Sequence, residues 1–316
     1  MARFVVRRTL QAVVVLFLVS VFTFLIFQVI PNGNPAFRLA GRTATPEQIR
    51  AISRAWGFDR PIYVQYLTTM KKVFTGSVVS YSQQVNVLNS IERGLPATIS
   101  LAVGASVIWL AWAIVLGLLS ARRPGSMTDR MLGLLSLTAI STPVFVIGAV
   151  LLYFLAYKVS IFPNGGYIPL TKNPWQWFAH MILPWFSLSL GFVGFYSRVL
   201  RSNMLDTMNE DYVRMARAKG LSGSRVLLAH VLRTSLIPIV SLWGLDFAGV
   251  VGGGAILIET IFNLQGVGQY AAQSVQTLDV PPILVIVMFT AFIVVVVAAA
   301  VDILYAFLDP RIQLNA

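Results

Sequence analysis

The chain has 316 residues, of which 57% are hydrophobic and only 11% charged; a soluble domain carries about 25% charged residues, so lipid is the expected solvent. The net charge of +12 fits basic loops beside a membrane rather than nucleic-acid binding. With no cysteine and two histidines, the chain excludes disulfides, thiol catalysis and iron–sulfur clusters and disfavours a metal site.

Charge-free stretches of about 20 residues mark membrane crossings. The first runs from Thr9 to Ile30 and stops at Pro31. Arg3, Arg7 and Arg8 precede it as in a signal peptide, but its apolar stretch exceeds the roughly 7–15 residues of a signal sequence, so a retained anchor is expected. Residues 31–95 read as a small helical cap. Thr45 is a candidate N-cap with Pro46 in the first turn, Ile49, Ile52 and Trp56 repeat at helical spacing, and Gly57 ends the helix. Tyr63 to Phe74 reads as a second helix.

Span two lies between Arg93 and Arg122, span three between Arg130 and Lys158, and span four between Lys172 and Arg198, starting near His180. Span five runs from Leu236 to about Phe262, interrupted by Asp246 and Glu259. Span six runs from Val280 to Phe307, with Asp302 near its end. The core of spans two to six is thus 96–308, with 1–30 as the first helix and 309–316 as a tail. Arg122, Arg123, Arg130, Arg198, Arg201, Arg214, Arg217, Lys219, Arg225 and Arg233 fall in the loops after spans two and four, whereas Asn263 to Asp279 has no Lys or Arg. Positive-inside then places both termini in the cytoplasm.

The loop 198–238 is the richest segment. Glu210, Asp211, Tyr212, Val213, Arg214, Met215, Ala216, Arg217, Ala218, Lys219, Gly220, Leu221 and Ser222 read as a helix, a turn at Gly220-Leu221-Ser222 and the start of another helix. Tyr212, Met215 and Ala216 fall on one face, and Arg214 and Arg217 on the opposite one. The slim Ala216 and Ala218, with a glycine permitting close approach at 220, suit a docking helix for a protein groove. Periodicity alone equally allows a basic helix lying on anionic lipid. Arg198 and Arg201 read as anchors to phosphate head groups or to acidic partner residues.

Asp246 stands about ten residues into span five, where an acid faces a wet pathway or a structural partner on another helix. On the pathway reading it attracts a cationic solute. Glu259 and Asp302, near span ends, read as structural. Pro143 and Gly252-Gly253-Gly254 are candidates for gating or packing; Pro143 and Pro184 read first as packing kinks, and Gly266-Val267-Gly268 as a short re-entrant turn. No Gly-x-x-x-x-Gly-Lys-Ser/Thr is present and no Lys precedes Ser or Thr, so no P-loop is expected.

The wording Tyr212-Val213 followed by Ala216-Arg217-Ala218-Lys219-Gly220-Leu221-Ser222, with His230, Leu232-Arg233 and Pro238, resembles the conserved cytoplasmic loop of ABC-importer permeases in the dipeptide/oligopeptide/nickel branch. Arg7-Arg8, Leu95-Pro96-Ala97-Thr98, Asp129-Arg130, Ser141-x-Pro143-x-Phe145, Glu210-Asp211-Tyr212, Glu259-Thr260-Ile261-Phe262 and Leu308-Asp309-Pro310-Arg311 extend the resemblance along nearly the whole chain. The arrangement resembles the first of two paired permeases, the B-type subunit. The chain departs from the branch at Gly33-Asn34-Pro35, Gln265 and Asp246, and from the general loop consensus at Arg214 and Met215.

The resemblance implies an all-α integral membrane protein with six spans and a type I importer fold. It implies a second, homologous permease (a heterodimer), two ABC ATPase subunits or one fused ATPase, and an external solute-binding protein. ATP and magnesium belong to the ATPases, with no cofactor in this chain. The expected place is a bacterial or archaeal inner (plasma) membrane. Peptides lead as solute, with nickel chelates, glutathione and sugars as alternatives. An ion-gradient-driven secondary transporter is the competing function; a channel or scaffold would not need the helix–turn–helix loop, and no paired acids, Ser–Lys pair or His cluster suggests an intramembrane enzyme.

Overall fold

The computed structural model describes residues 2–29, Ala36 and 45–308, with side chains described over 10–27, Ala36, 45–55 and 57–300. The side chains of the arginines at 3, 7 and 8, the Gly33-Asn34-Pro35 sequence, the Trp56 and Asp302 side chains and the tail 309–316 lie outside them. Helix α1 (Ala2–Phe24) continues as a wider turn over Leu25–Val29 and packs along the last helix. Helix α2 (Pro46–Trp56) starts at a capping box: Thr45 N–H donates to Gln48 and Gln48 N–H to Thr45 Oγ1. Gly57, at φ 73°, ends it in the left-handed conformation that costs glycine nothing. Helix α3 (Ile62–Phe74) seats this cap on the spans. Met70 packs with Phe24 and Leu284, and the hydroxyls of Tyr66 and Ser20 share a hydrogen bond of 2.7 Å.

The cap ends earlier than residue 95. Asn86 accepts from the Asn89 N–H and starts α4 (Val87–Arg122), so Glu92 and Arg93 belong to a membrane helix. Helix α4 and α7 (Pro174–Thr207) have 36 and 34 residues, about 54 and 51 Å at 1.5 Å per residue. Both outrun a ~30 Å hydrocarbon layer, so α7 carries Arg198 and Arg201 within a continuous helix. The two form the principal helix pair. Small residues of α4 (Ala97, Ala102, Ala105, Ala113) admit Trp185, Leu188 and Tyr196 of α7, and a Cβ at Gly117 would press on Leu200 at 3.0 Å.

Span three is not one rod. Helix α5 (Met127–Ser141) and α6 (Val144–Leu151, continuing as a wider turn to Lys158) meet at 94°. Proline disfavours helix at the residue before it and has no N–H of its own, so Thr142 turns to ψ 123° and the chain changes direction. The packing-kink reading of Pro143 is corrected to a full break. Beyond it α6 lies on the 256–262 region, where a Cβ at Gly148 would meet Ile258 and Phe262 at 3.3 Å.

Span five is likewise redrawn. Helix α9 is continuous over Gly223–Gly254, with widened turns at Val226–Leu232 and Val250–Gly254. It stops there because Gly253 takes φ 122°. A Cβ at Gly252 would lie 2.7 Å from Thr290, whose hydroxyl donates to the Gly252 carbonyl at 2.6 Å. One glycine thus packs and the next bends. Two short helices follow, α10 (Ile256–Ile261) and α11 (Val267–Gln276), before α12 (Val280–Leu308). Glu259 therefore stands on α10, outside the span. Among the described residues five helices are long and apolar enough to cross a membrane, and the broken pair α5–α6 taken as one span makes six.

Candidate functional site

Helix α8 (Asp211–Ala218) joins α7 to α9 at the arginine-rich end of the bundle. Val213 and Ala216 are its buried residues, joining a core with Met204 of α7 and Val226 and Val231 of α9. Of the face grouped by periodicity, only Ala216 turns inward: Tyr212 is 41% and Met215 56% exposed. The gap between two converging helices admits a compact valine and an alanine three residues apart, not a tyrosine and a methionine. Arg214, Arg217, Ala218 and Lys219 are exposed as well. The outward surface therefore combines one aromatic, one thioether and three cations, while the inward edge is apolar.

The elbow is stiffened by its turn. Gly220 N–H donates to the Arg217 carbonyl and Leu221 N–H to the Ala216 carbonyl, the paired bonds of a Schellman ending. Gly220 has φ 80°, and a Cβ there would meet nothing within 4 Å. Glycine is required for the left-handed backbone, not for the close approach expected from the sequence. Ser222 occupies the N-cap backbone position of α9 without a side-chain capping bond, as does Glu210 for α8. Tyr212 Oη donates to Thr234 Oγ1 at 3.0 Å and Ser235 Oγ to Thr207 Oγ1 at 3.2 Å, fastening the loop to α9 and α9 to α7. The Asp211–Arg214 pair, at 3.6 Å and largely exposed, contributes little.

Arg201 has a partner that local patterning could not reveal. Its Nε and Nη2 each donate to Asp129 at 2.7 Å across a separation of 72 residues. The same carboxylate accepts from the Ser120 hydroxyl and, at 2.9 Å, from Gly125 N–H. One buried acid thus binds the end of α4, the following turn, the start of α5 and α7. Arg201 is an internal clasp rather than an anchor for lipid phosphate or a partner. Arg198, exposed, borders the adjoining cavity of about 350 Å³ together with Ser136, Ser197 and Ser202.

Asp246 on α9 accepts the Tyr196 hydroxyl of α7 at 2.6 Å. Tyr196 is fully buried, held by Phe195 at 5.6 Å and by Trp109 and Phe192 at 6.3 Å. At the other end of the bundle, the motif pieces around Thr98, Glu259 and Gly266-Val267-Gly268 form a single lock. The Thr98 hydroxyl donates to the buried Glu259 at 2.6 Å and accepts from Val267 N–H at 2.9 Å. Gln269 N–H donates to the second Glu259 oxygen at 2.8 Å. A side chain at Gly266 would overlap that carboxylate, so the glycine leaves it room. A second buried acid, Asp279, accepts from Tyr81 N–H at 2.9 Å, Ser82 N–H at 3.0 Å and the hydroxyls of Ser80 and Ser82, tying the cap to the start of α12. The sequence marked Thr98 only as a motif member, Glu259 as a structural acid near a span end with no partner named, and Asp279 only as a loop boundary.

Residues 113–314 match the family described as binding-protein-dependent transport system inner membrane component, and residues 1–102 match the N-terminal part of such membrane components. A probable peptide ABC transporter permease protein of Sinorhizobium fredii is 34% identical over 99% of this chain and 100% of its own length. A dipeptide transport system permease protein of Lactococcus lactis is also 34% identical, over 99% and 100%. An oligopeptide transport system permease protein of Bacillus subtilis is 33% identical over 99% and 100%. In fold, the chain is similar to the inward-facing MetNI methionine ABC transporter, with a TM-score of 0.53 and 16% identity over 70% of this chain and 97% of that one. The chain belongs to the binding-protein-dependent transport family and is a permease subunit of an ABC importer.

Proposed function

We propose that this subunit forms half of a translocation pathway for di- or oligopeptides and takes its driving force from a partner ATPase that grips α8. The observation that carries the reading is the outward surface of α8: Tyr212 and Met215 protrude beside Arg214 and Arg217, while Val213 and Ala216 wedge the helix between α7 and α9. A helix fixed at both ends, with a bulky exposed edge, moves as a body when pushed and fits a groove in a protein. The peptide assignment draws on the names of the relatives.

In this reading a homologous permease supplies the other half of the path. Two ATPase subunits, or one fused ATPase, bind ATP and magnesium, and this chain has no nucleotide site of its own. A solute-binding protein delivers peptide at the cap. The arginine-rich end lies in the cytoplasm with both termini. The ion-gradient-driven alternative has no observation in its favour.

Met215→Asp tests the reading, because Met215 is exposed and its loss opens no core cavity. The variant is expected to insert and fold normally but to lose co-purification with the ATPases and to lose ATP-driven uptake of a tripeptide mixture in proteoliposomes. Unchanged assembly and uptake would remove α8 as the docking element. The peptide assignment is read separately, by calorimetry of the binding protein with the same peptides.

A further inference from the structure

Asp246 sits inside the bundle without a cationic partner. Tyr196 stands about 11 residues before the end of α7, roughly 17 Å of rise, and just before Arg198, so the acid it holds lies toward the arginine-rich half of the bundle. Among the described residues no Lys, Arg or His lies within ion-pair distance of Asp246; its one side-chain partner is the Tyr196 hydroxyl. A carboxylate within a membrane helix is disfavoured against hydrocarbon and faces a bundle interior or a wet cavity.

The neighbouring surface of α9 is open. Ser235, Ile239 and Ala248 are buried, whereas Pro238, Leu245 and Gly249 form an exposed stripe with Asp246 at its edge. Leu245 is 59% exposed, and a Cβ at Gly249 would meet nothing within 4 Å. An acid at the edge of an uncovered stripe, within a membrane helix, favours water over lipid in front of it. The wall behind is rigid and aromatic: Trp109 and Phe192 lie 4.4 Å apart, and Trp243 and Phe247 lie 5.4 Å apart on α9 itself. A carboxylate fixed by the Tyr196 hydroxyl suits a protonated amine through a charge-assisted hydrogen bond.

We propose that Asp246, oriented by Tyr196, is a cation-selective station in the water-filled path, taking an ammonium group of the passing solute. The proposal rests on the permease reading above. It assigns the selectivity to this chain rather than to the external binding protein.

The chain has no cysteine, so single cysteines report without background. In the assembled importer in proteoliposomes, Leu245→Cys and Gly249→Cys are reacted with a quaternary-ammonium methanethiosulfonate and with its sulfonate counterpart. Both positions are expected to react from water. Adding Asp246→Asn is expected to lower the ratio of cationic to anionic reaction rates at least about fivefold, and Asp246→Glu to restore it. Ile161→Cys, exposed and outside α9, should keep its ratio with either substitution. Two outcomes overturn the proposal: no reaction at either α9 position, which places the stripe against lipid or the other subunit, or a ratio indifferent to Asp246→Asn. ATP hydrolysis stimulated by the binding protein, measured on the same vesicles, reports on the permease reading. Its loss with labelling intact would sink that reading and leave the wet acidic stripe standing.

Discussion

Removing the Asp129 carboxylate should loosen three helices at once. The acid is 7% exposed and accepts two charge-assisted bonds at 2.7 Å from Arg201, one at 2.9 Å from Gly125 N–H and one from the Ser120 hydroxyl. Breaking a fully buried pair by deleting one partner costs about 3–5 kcal/mol, chiefly because the other charge is left uncompensated. Arg201 is 34% exposed and can turn toward water, which lowers its share. The stranded Ser120 and Gly125 donors add back part of the loss. Asp129→Ala is therefore expected to destabilise by roughly 2–3 kcal/mol. Arg201→Lys keeps the charge but loses the planar fork, so it should cost about 1 kcal/mol. Equilibrium unfolding in mixed micelles measures both, and the double-mutant cycle of Asp129→Ala with Arg201→Ala should return a coupling near 2 kcal/mol. Basal ATP hydrolysis by the assembled importer should survive while its stimulation by the binding protein falls, since the clasp holds the α7 arm of the elbow. A destabilisation under about 0.5 kcal/mol, the range of ordinary surface substitutions, or a coupling near zero would refute the reasoning.

Gly220→Ala should weaken the elbow by about 1–2 kcal/mol through its left-handed φ alone, because the site has open space. Gly220→Asn should recover much of the loss; binding-protein-stimulated ATP hydrolysis reads the difference, and equal behaviour of the two would show that the turn is not held in that conformation. Thr98→Val removes the hydroxyl that donates to Glu259 and accepts from Val267 N–H. The Val267 N–H is then left without its partner, at about 1–3 kcal/mol, while Glu259 keeps the Gln269 N–H; faster hydrogen exchange at the Val267 amide checks it.

The lessons of the two broken spans differ. At 143 the signal was plain, a proline within a helical run, yet local rules do not say whether a proline bends a rod or ends it. The outcome depends on what satisfies the freed backbone and on what the next segment packs against; here α6 lies against Ile258 and Phe262. At 252–254 three adjacent glycines allowed both packing and bending. Contact with Thr290 at one and φ 122° at the next divided the two roles between neighbours. The inward face of α8 was not legible for a related reason: in a helix of 8 residues a rotation of one position leaves the pattern plausible, and only the converging α7 and α9 select Val213 and Ala216.

What the sequence determined by itself was whatever follows from the solvent and from chain-local chemistry. Apolar run length set the number of crossings, Thr45 and Gly57 bounded α2, and Gly220 marked the elbow turn, because each acts within one helix length. The pairings Asp129–Arg201, Thr98–Glu259, Tyr196–Asp246 and Asp279 with the 80–82 turn were decided only in three dimensions. Their partners stand 50 to 199 residues apart, where no periodicity operates. Inside a low-dielectric bundle every polar group must find a partner or water, and the packing of the helices decides which it finds.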